Sequence, residues 1–488
     1  MMQYGNLNVI KPVYVVVAAL FLTGCQSTWI WPDYSRPKVE VPAQYVETGQ
    51  QNIADSQIAN NWWTLYQDEV LNDLVAKALQ NNKDVKLAAA RIEEADAVLR
   101  ESGAALFPQI DLDAGAKRSR ITEAGANTPF GNNPRDNYNI RLGTVFELDF
   151  WGKFRRAKES ARAQALSSRY AKDTVALSLT GLVASNYLTL RSLESQITIA
   201  QDNLKSRDAS LALTKRRLEG GVASALDVHQ AEVASANLSA QISDLNRLKS
   251  LSLHQLAVLT GDLNLAVTGL KAAAADINAL PIPPTPPAGL PSSLLEARPD
   301  IRQAEELMVA ANANIGVAKA ALYPTISLTA NLGGESMDLG DVLKSAARIW
   351  TGGVSLNLPI FDAGKLNARV DQASAKQKQT LASYEGAIQG AFREVNDALV
   401  NLRQYTEQEA ALFRSQEAAK KALEIAENRY QSGYSSYIDV LEAQRAYNDS
   451  GLAFVQSRQA RLIASVDLFK ALGGGWQAST DQQVGINK

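Results

Sequence analysis

RLEGGVASALDV, Arg217 to Val228, and RYQSGYSSYIDV, Arg429 to Val440, are two copies of one segment within a chain of 488 residues. Arg, Gly, Ser, Asp and Val coincide when residue 217 is laid on residue 429. In each copy a glycine closes a long heptad-patterned stretch, and a Ser-x-x-Asp pair opens the next one. Glycine ends helices because it enters the left-handed region without a Cβ clash. Ser followed three residues later by an acidic residue is a capping pattern that starts a helix. The segment therefore predicts a long helix, a tight turn and a returning helix, built twice in one chain.

Reading outward, the same spacing relates Gly152-Lys153 to Gly364-Lys365 and Gly261 to Gly473. Further upstream, the Ala-Leu-Phe-Pro ending at Pro108 matches the Ala-Leu-Tyr-Pro ending at Pro324 with a spacing of 216 rather than 212. The repeats thus differ by four residues before the Gly-Lys pair and then run without net gaps. Between them lies Pro281-Ile-Pro-Pro-Thr-Pro-Pro287, a stiff extended linker.

Each repeat reads alike. A helix, Asp84 to Leu106 or Pro299 to Leu322, is stopped by proline. An alternating run follows: Ile110 and Leu112 against Asp111 and Asp113, or Ile326, Leu328 and Ala330 against Ser327, Thr329 and Asn331. After a polar or Gly-rich loop comes a second run. It sets Tyr138, Ile140, Leu142, Phe146 and Leu148 against Asn139, Arg141, Glu147 and Asp149, and in the other repeat Val354, Leu356, Leu358 and Ile360 against Ser355 and Asn357. Period two gives one apolar and one polar face.

After Gly152 and Gly364 the period becomes helical. Val183, Leu190, Ile197, Leu204, Leu211 and Leu218 recur every seventh residue, and Ile388, Phe392, Val395, Leu399 and Leu402 follow the spacing of a coiled-coil seam. From Gly152 to Leu218, and from Gly364 to Tyr430, there is no proline. A continuous helix of that length runs about 100 Å, too long for a compact domain. In each repeat the return helix, Ser224 to Thr260 or Ser436 to Leu472, and the helix before the strands together sum to about 90 Å. Each repeat reads as two parallel rods, one continuous and one spliced, with a β-hairpin at one end.

Four strands of about ten residues suit tilted transmembrane strands. Four cannot close a barrel, and an open edge in lipid leaves backbone groups unpaired, so copies must combine. Phe150, Trp151 and Phe361 sit where strand meets helix, at the height of an aromatic girdle. A soluble sandwich fed by coiled coils is the competing reading.

The composition excludes other classes. Net charge is −2, which gives no case for nucleic-acid binding. One cysteine and two histidines, His229 and His254, suggest neither a metal site nor a Cys/His catalytic site. There is no P-loop, dinucleotide turn or nucleophile elbow. No enzyme activity, cofactor or metal is expected. At the N-terminus, Lys11 precedes an apolar run from Val13 to Leu22, short for a membrane span but suited to a signal peptide. Leu22-Thr23-Gly24-Cys25 resembles a lipobox, so Cys25 is expected to be lipidated. A Sec signal with an incidental cysteine is the alternative. Trp29 and Trp31 suit either a membrane interface or ordinary packing.

Three further motifs carry a resemblance: Pro32-Asp33-Tyr34-x-Arg36-Pro37, Trp62-Trp63-x-Leu65-Tyr66-x-Asp68, and Arg298-Pro299-Asp300-Ile301 running to Tyr323-Pro324. Over nearly the whole mature chain the sequence resembles the lipoprotein branch of the TolC-like outer-membrane factors. The resemblance implies an α+β membrane protein: a homotrimer whose four strands per chain form a twelve-stranded outer-membrane β-barrel, continued by a twelve-helix periplasmic barrel. It implies a periplasmic adaptor and an inner-membrane transporter of the resistance-nodulation-division type as partners, with Gln26 after the cysteine consistent with the outer membrane. The expected division is 1–24 signal peptide, 25–83 lipidated segment and equatorial helix, 84–261 first repeat, 262–298 linker, 299–473 second repeat and 474–488 polar tail. The function implied is the exit duct of a tripartite efflux pump. An exit duct for one-step protein secretion and a lipid-anchored scaffold without a channel are the alternatives.

The two turns, with Gly221 and Ser224 in the first and Gly433 and Ser436 in the second, correspond by resemblance to periplasmic tips that close the tunnel and meet the adaptor. Capping accounts for the serines but not for Glu442, one turn beyond Asp439 on the same helix face, where the first repeat has Gln230. Three copies of Asp439 and Glu442 around an axis would make two stacked carboxylate rings that favour cations. By resemblance these two match the family's acidic constriction, and Asp227 and Tyr430 match residues that hold neighbouring tips closed. Ser435 stands where some relatives carry arginine, so a salt-bridge lock through that position is not expected here.

Overall fold

The computed structural model describes residues 33–40, 42, 45, 58–122, 124, 133–270, 276–286 and 294–477. Cys25, Trp29, Trp31, the signal segment and residues 478–488 lie outside them. In chain order the main elements are α1 (Glu69–Asn81), α2 (Lys83–Ala104), β1 (Gln109–Ser119), β2 (Arg135–Glu147), α3 (Lys153–Glu219), α4 (Ala225–Thr260), α5 (Pro299–Ala320), β3 (Thr325–Ser336), β4 (Arg348–Asn357), α6 (Lys365–Gln431) and α7 (Tyr437–Ala471). Both long helices have 67 residues. The helices before the strands end two residues earlier than the apolar pattern suggests. Their last turns tighten: Phe107 N–H donates to Ala104 O and Tyr323 N–H to Ala320 O. The following proline disfavours helical backbone in the residue before it.

The chain divides into two compact units, and each takes part of both repeats. One comprises 1–38, 92–167 and 304–384. It holds a single four-stranded antiparallel sheet in the order β1-β2-β3-β4. The two expected hairpins are therefore joined, because β2 of the first repeat pairs with β3 of the second. The register places Leu112 opposite Leu142, Leu142 opposite Leu332, and Leu332 opposite Trp350. This apolar row crosses all four strands, and each of its side chains is exposed, Trp350 at 76%. The alternate row, Asp111, Gly143, Asn331 and Thr351, is polar. An apolar face uncovered by protein and a polar face behind it are the two sides of a transmembrane barrel wall. The outer edges of β1 and β4 are unpaired within the sheet. Among the described residues, no helix is long and apolar enough to cross a membrane.

At the strand–helix junctions Asp149 accepts from the N–H groups of Phe154 and Arg155, both at 3.0 Å, and Asp362 accepts from Leu366 N–H at 2.8 Å. These carboxylates serve the unpaired donors at the starts of α3 and α6. Trp151 is not a free girdle residue: it stacks on Tyr323 at 4.9 Å and donates to Pro324 O at 2.7 Å. Phe361 is 89% exposed. In the same unit the Pro-Asp-Tyr-x-Arg-Pro motif is an anchor. Asp33 pairs with Arg156 at 2.8 Å, while Tyr34 and Arg36 both donate to Glu305.

The other unit, 39–91, 168–303 and 385–488, contains the main hydrophobic cluster. The Trp-Trp motif lies at its centre. Trp62 stacks on Phe469 at 5.3 Å, and the Tyr66 hydroxyl meets Ser465 Oγ at 2.6 Å. Asp68 caps α1 through Val70 and Leu71 N–H and accepts from the Tyr187 hydroxyl at 2.6 Å. Burial and the bond to Asp68 both push the Tyr187 phenol pKa up, so the hydroxyl stays a donor.

The spliced rod is also visible here. The end of α4 meets the start of α2, where Asn82 Nδ2 donates to Leu259 O at 3.0 Å. Equivalently, Arg298 donates to Ala471 O at 3.0 Å where α7 ends and α5 begins. Gly473 sits at that second junction with φ +89, and a Cβ there would fall 2.1 Å from Ala297 O. With that carbonyl so close and φ positive, a side chain at this position would clash.

Candidate functional site

The two turns belong to the second unit, and the chain builds them almost identically. α3 ends with Gly221 N–H donating to Leu218 O at 2.9 Å and Val222 N–H to Arg217 O at 2.8 Å. α6 ends with Gly433 N–H donating to Tyr430 O at 3.1 Å and Tyr434 N–H to Arg429 O at 2.8 Å. Both are Schellman turns, with the glycines at φ +72 and +81. The residues after the glycines, Val222 and Tyr434, are 76% and 79% exposed, so each tip presents an uncovered apolar side chain.

The helices restart on capping boxes. Ser224 N–H donates to Asp227 Oδ2 at 3.0 Å, and Asp227 N–H donates to Ser224 Oγ at 3.2 Å. In the second repeat Ser436 N–H donates to Asp439 Oδ2 at 3.1 Å and its hydroxyl to the same oxygen at 3.0 Å. Asp439 therefore uses one carboxylate oxygen for its own helix end, whose dipole partly offsets its charge.

Glu442 is different. It is exposed, and among the described residues its carboxylate has neither a hydrogen bond nor an ion pair. Arg445, one turn on, is paired instead with Asp449 at 3.8 Å. Glu442 and Gln230 both line a groove of about 820 Å³ between α4 and α7. The repeat-equivalent positions thus share one surface, and only one is charged.

Tyr430 and Asp227 are not joined to each other by a hydrogen bond among the described residues. Tyr430 is 8% exposed and packs in a small cluster with Ala231, Tyr437 and Val440, its ring 5.6 Å from that of Tyr437. Burial, then the neighbouring Tyr430, pushes the Tyr437 phenol pKa up. Ser435 Oγ is buried and has no partner among the described residues.

Arg217 carries a role that the pattern alone did not disclose. Its guanidinium lies 4.3 Å from the Tyr430 ring centre and donates to Tyr430 O and Gln431 O, both at 3.2 Å. It therefore stacks on an aromatic face and adds donors to the last carbonyls of α6, of which Tyr430 O also accepts from Gly433 N–H. The signal was a basic residue in the last turn of a helix beside a second helix end. Deeper in, Arg207 is buried and donates to Ala234 O at 2.9 Å. Burial is the leading cause of its lowered pKa.

Comparison with known proteins gives a consistent result. The family described as "Outer membrane efflux protein" matches residues 74–262 and 290–474, one stretch for each repeat. The cation efflux system protein CusC of Escherichia coli O6:H1 is 32% identical over 462 residues, spanning 94% of this chain and 97% of that protein. The probable efflux pump outer membrane protein TtgC of Pseudomonas putida is 35% identical over 478 residues, with 96% of both covered. The solved structure of the Campylobacter jejuni CmeC outer membrane channel superposes with a TM-score of 0.88 at 26% identity, covering 94% of this chain and 97% of that one.

Proposed function

The chain belongs to the outer membrane efflux protein family, and on that premise we propose that the tip carrying Asp439 and Glu442 is the resting gate of the channel and its cation filter. The protein itself is the outer-membrane duct of a tripartite efflux pump. It is a trimer, served by a periplasmic adaptor and an inner-membrane transporter. Three copies of the four-stranded sheet close the unpaired edges of β1 and β4 into twelve strands, which removes the exposed backbone groups that lipid cannot satisfy. Cargo passes through the duct without chemical change, so selectivity rests on the narrowest charged ring.

The observation that carries the gate reading is the unpartnered carboxylate of Glu442 on the same exposed helix face as Asp439. In a threefold ring such groups stand close, repel anions and concentrate cations. Gln230 in the first repeat adds no charge, so the Glu442 ring is set by the second repeat alone. The wild-type trimer in a planar bilayer is expected to prefer cations and to be blocked by divalent or trivalent ions. An anion-selective or unblocked pore would remove the basis for the ring. The tips' exposed Val222 and Tyr434 suit the adaptor contact.

Lipidation at Cys25 is the second element of this reading, supported by the position of the chain's one cysteine in Leu22-Thr23-Gly24-Cys25. Mass spectrometry of the mature protein is expected to find a chain that begins at Cys25 and carries lipid. Cys25→Ser is expected to weaken anchoring while the barrel still inserts, because the strands rather than the acyl chains cross the membrane. An unmodified Cys25 in the wild type contradicts it.

A further inference from the structure

The loop that joins β3 to β4, residues 337–347, folds back onto the sheet instead of standing clear of it. Gly334 lies two residues beyond Leu332, so a side chain there would point to the apolar face. A Cβ on Gly334 would overlap Val342 O. Glycine lets the loop lie this close, and the loop therefore rests on the apolar face at the end of the sheet away from the helices. Between loop and sheet is a notch of about 270 Å³. Leu112, Leu142 and Leu332 line it from the sheet, and Leu343, Lys344 and Arg348 from the loop and the start of β4.

The cations at the notch are not alike. Lys344 is exposed and held by Asp341 of the same loop, with Asp338 also near it. Arg141 lines the notch too, and is paired with Glu335 at 3.7 Å. Arg348 stands opposite Gly334 in the register and shares the apolar face with Trp350. It is exposed, and among the described residues it makes no hydrogen bond, ion pair or ring contact. An uncompensated arginine therefore sits on the face that the barrel turns to lipid.

Its height explains how the membrane tolerates it. β3 starts at Thr325, on the periplasmic side where α5 ends. From Thr325 to Gly334 is nine residues, about 30 Å of strand. At a tilt of about 40° this rises about 23 Å, close to the top of an apolar band about 25 Å tall. A cation is costly at the bilayer midplane but not at its edge, where lipid phosphates lie. A guanidinium takes a phosphate through two parallel N–H bonds. Leu343, 82% exposed, lines the same notch and offers apolar surface beside that charge.

We propose that this notch seats a phosphorylated lipid of the outer leaflet, with the phosphate on Arg348 and an acyl chain along Leu112, Leu142 and Leu332. The seat rests on the outer-membrane reading above, which puts this end of the sheet at the cell surface. The bound lipid bridges Arg348 on β4 and Leu343 on the loop, and so holds the loop down on the sheet.

The test is native mass spectrometry of the full-length trimer, stripped of lipid in detergent and titrated with diphosphorylated lipid A. Up to one lipid per subunit is expected to bind. Diacylglycerol, which has chains but no phosphate, should bind roughly tenfold more weakly or worse. Arg348→Gln should weaken lipid A binding roughly tenfold, and Arg348→Lys by less, because an ammonium keeps the charge and loses the paired geometry. Lys117 lies on the polar face of the same sheet, so Lys117→Gln should bind as wild type does. Inorganic phosphate at equal concentration should not compete. Equal binding by Arg348→Gln and wild type, an equal loss in Lys117→Gln, diacylglycerol as tight as lipid A, or competition by inorganic phosphate would each overturn the seat. The comparison of the two lipids on the wild type needs no variant to fold. A wild-type protein that is not trimeric, or that does not conduct in planar bilayers, defeats the duct reading, whereas a conducting trimer without lipid preference defeats only the seat.

Discussion

Arg298→Ala is expected to yield little stable trimer. Arg298 is 9% exposed at its side chain and holds three groups together. It donates to Asp300 at 2.7 and 3.0 Å, to Glu394 at 2.8 Å and to Ala471 O at 3.0 Å. Burial pulls its pKa down, but the bonds and charges of Asp300, followed by Glu394, outweigh that and raise it, so it is always charged. Removing the guanidinium forfeits hydrogen bonds to charged groups worth about 1.5–3 kcal/mol each, and the Ala471 carbonyl at the helix end loses its donor with them. The loss falls on the junction where α7 ends and α5 begins, beside Gly473, which has no space for repacking. Arg298→Lys should recover part of the stability and not all, since an ammonium cannot hold Asp300 with two parallel bonds. Thermal dissociation of the trimer, followed on unheated denaturing gels, gives the order wild type, Lys, Ala. An alanine variant as heat-stable as wild type would mean the cluster is dispensable.

The second large effect is on permeation. Asp439→Ala with Glu442→Ala is expected to leave the trimer intact, lower its cation preference and relieve block by multivalent cations. Both side chains are exposed, so their loss leaves no buried cavity. The helix start loses the Asp439 contacts to Ser436, about 1 kcal/mol. Charge and cap contribute differently at the two positions. Asp439 already gives an oxygen to its helix end, whereas Glu442 gives nothing to the fold. If the effect were capping alone, Asp227→Ala would match Asp439→Ala and Glu442 would be silent.

Much of the architecture was legible because period and repetition are local properties of sequence. The heptads predict the long helices, and the glycines and Ser-x-x-Asp pairs predict both turns with their caps. Val183, Leu190 and Ile197 are buried, while Leu218 near the tip is 38% exposed. The seam thus loosens towards the turn, which spacing alone cannot tell. The pairing of β2 with β3 was not legible either. It joins strands far apart in sequence, and alternation gives each strand a face but not a neighbour. Trp151 read as a girdle residue because its packing against Tyr323 depends on two junctions meeting in space. Arg217 read only as an anchor for aligning the repeats, since its acceptors are backbone carbonyls that no side-chain pattern records. The difference between Glu442 and Gln230 was legible as charge. That both line one groove required the fold.

The most direct test of the gate is single-channel selectivity of Glu442→Gln alone. This change keeps the size of the side chain, leaves the Ser436–Asp439 cap untouched and removes one negative charge per subunit. The reversal potential in a salt gradient is expected to move towards that of a non-selective pore, with weaker block by multivalent cations and the same trimer on native mass spectrometry. A reversal potential and block identical to wild type would place Glu442 outside the conduction path and contradict the assignment of the gate.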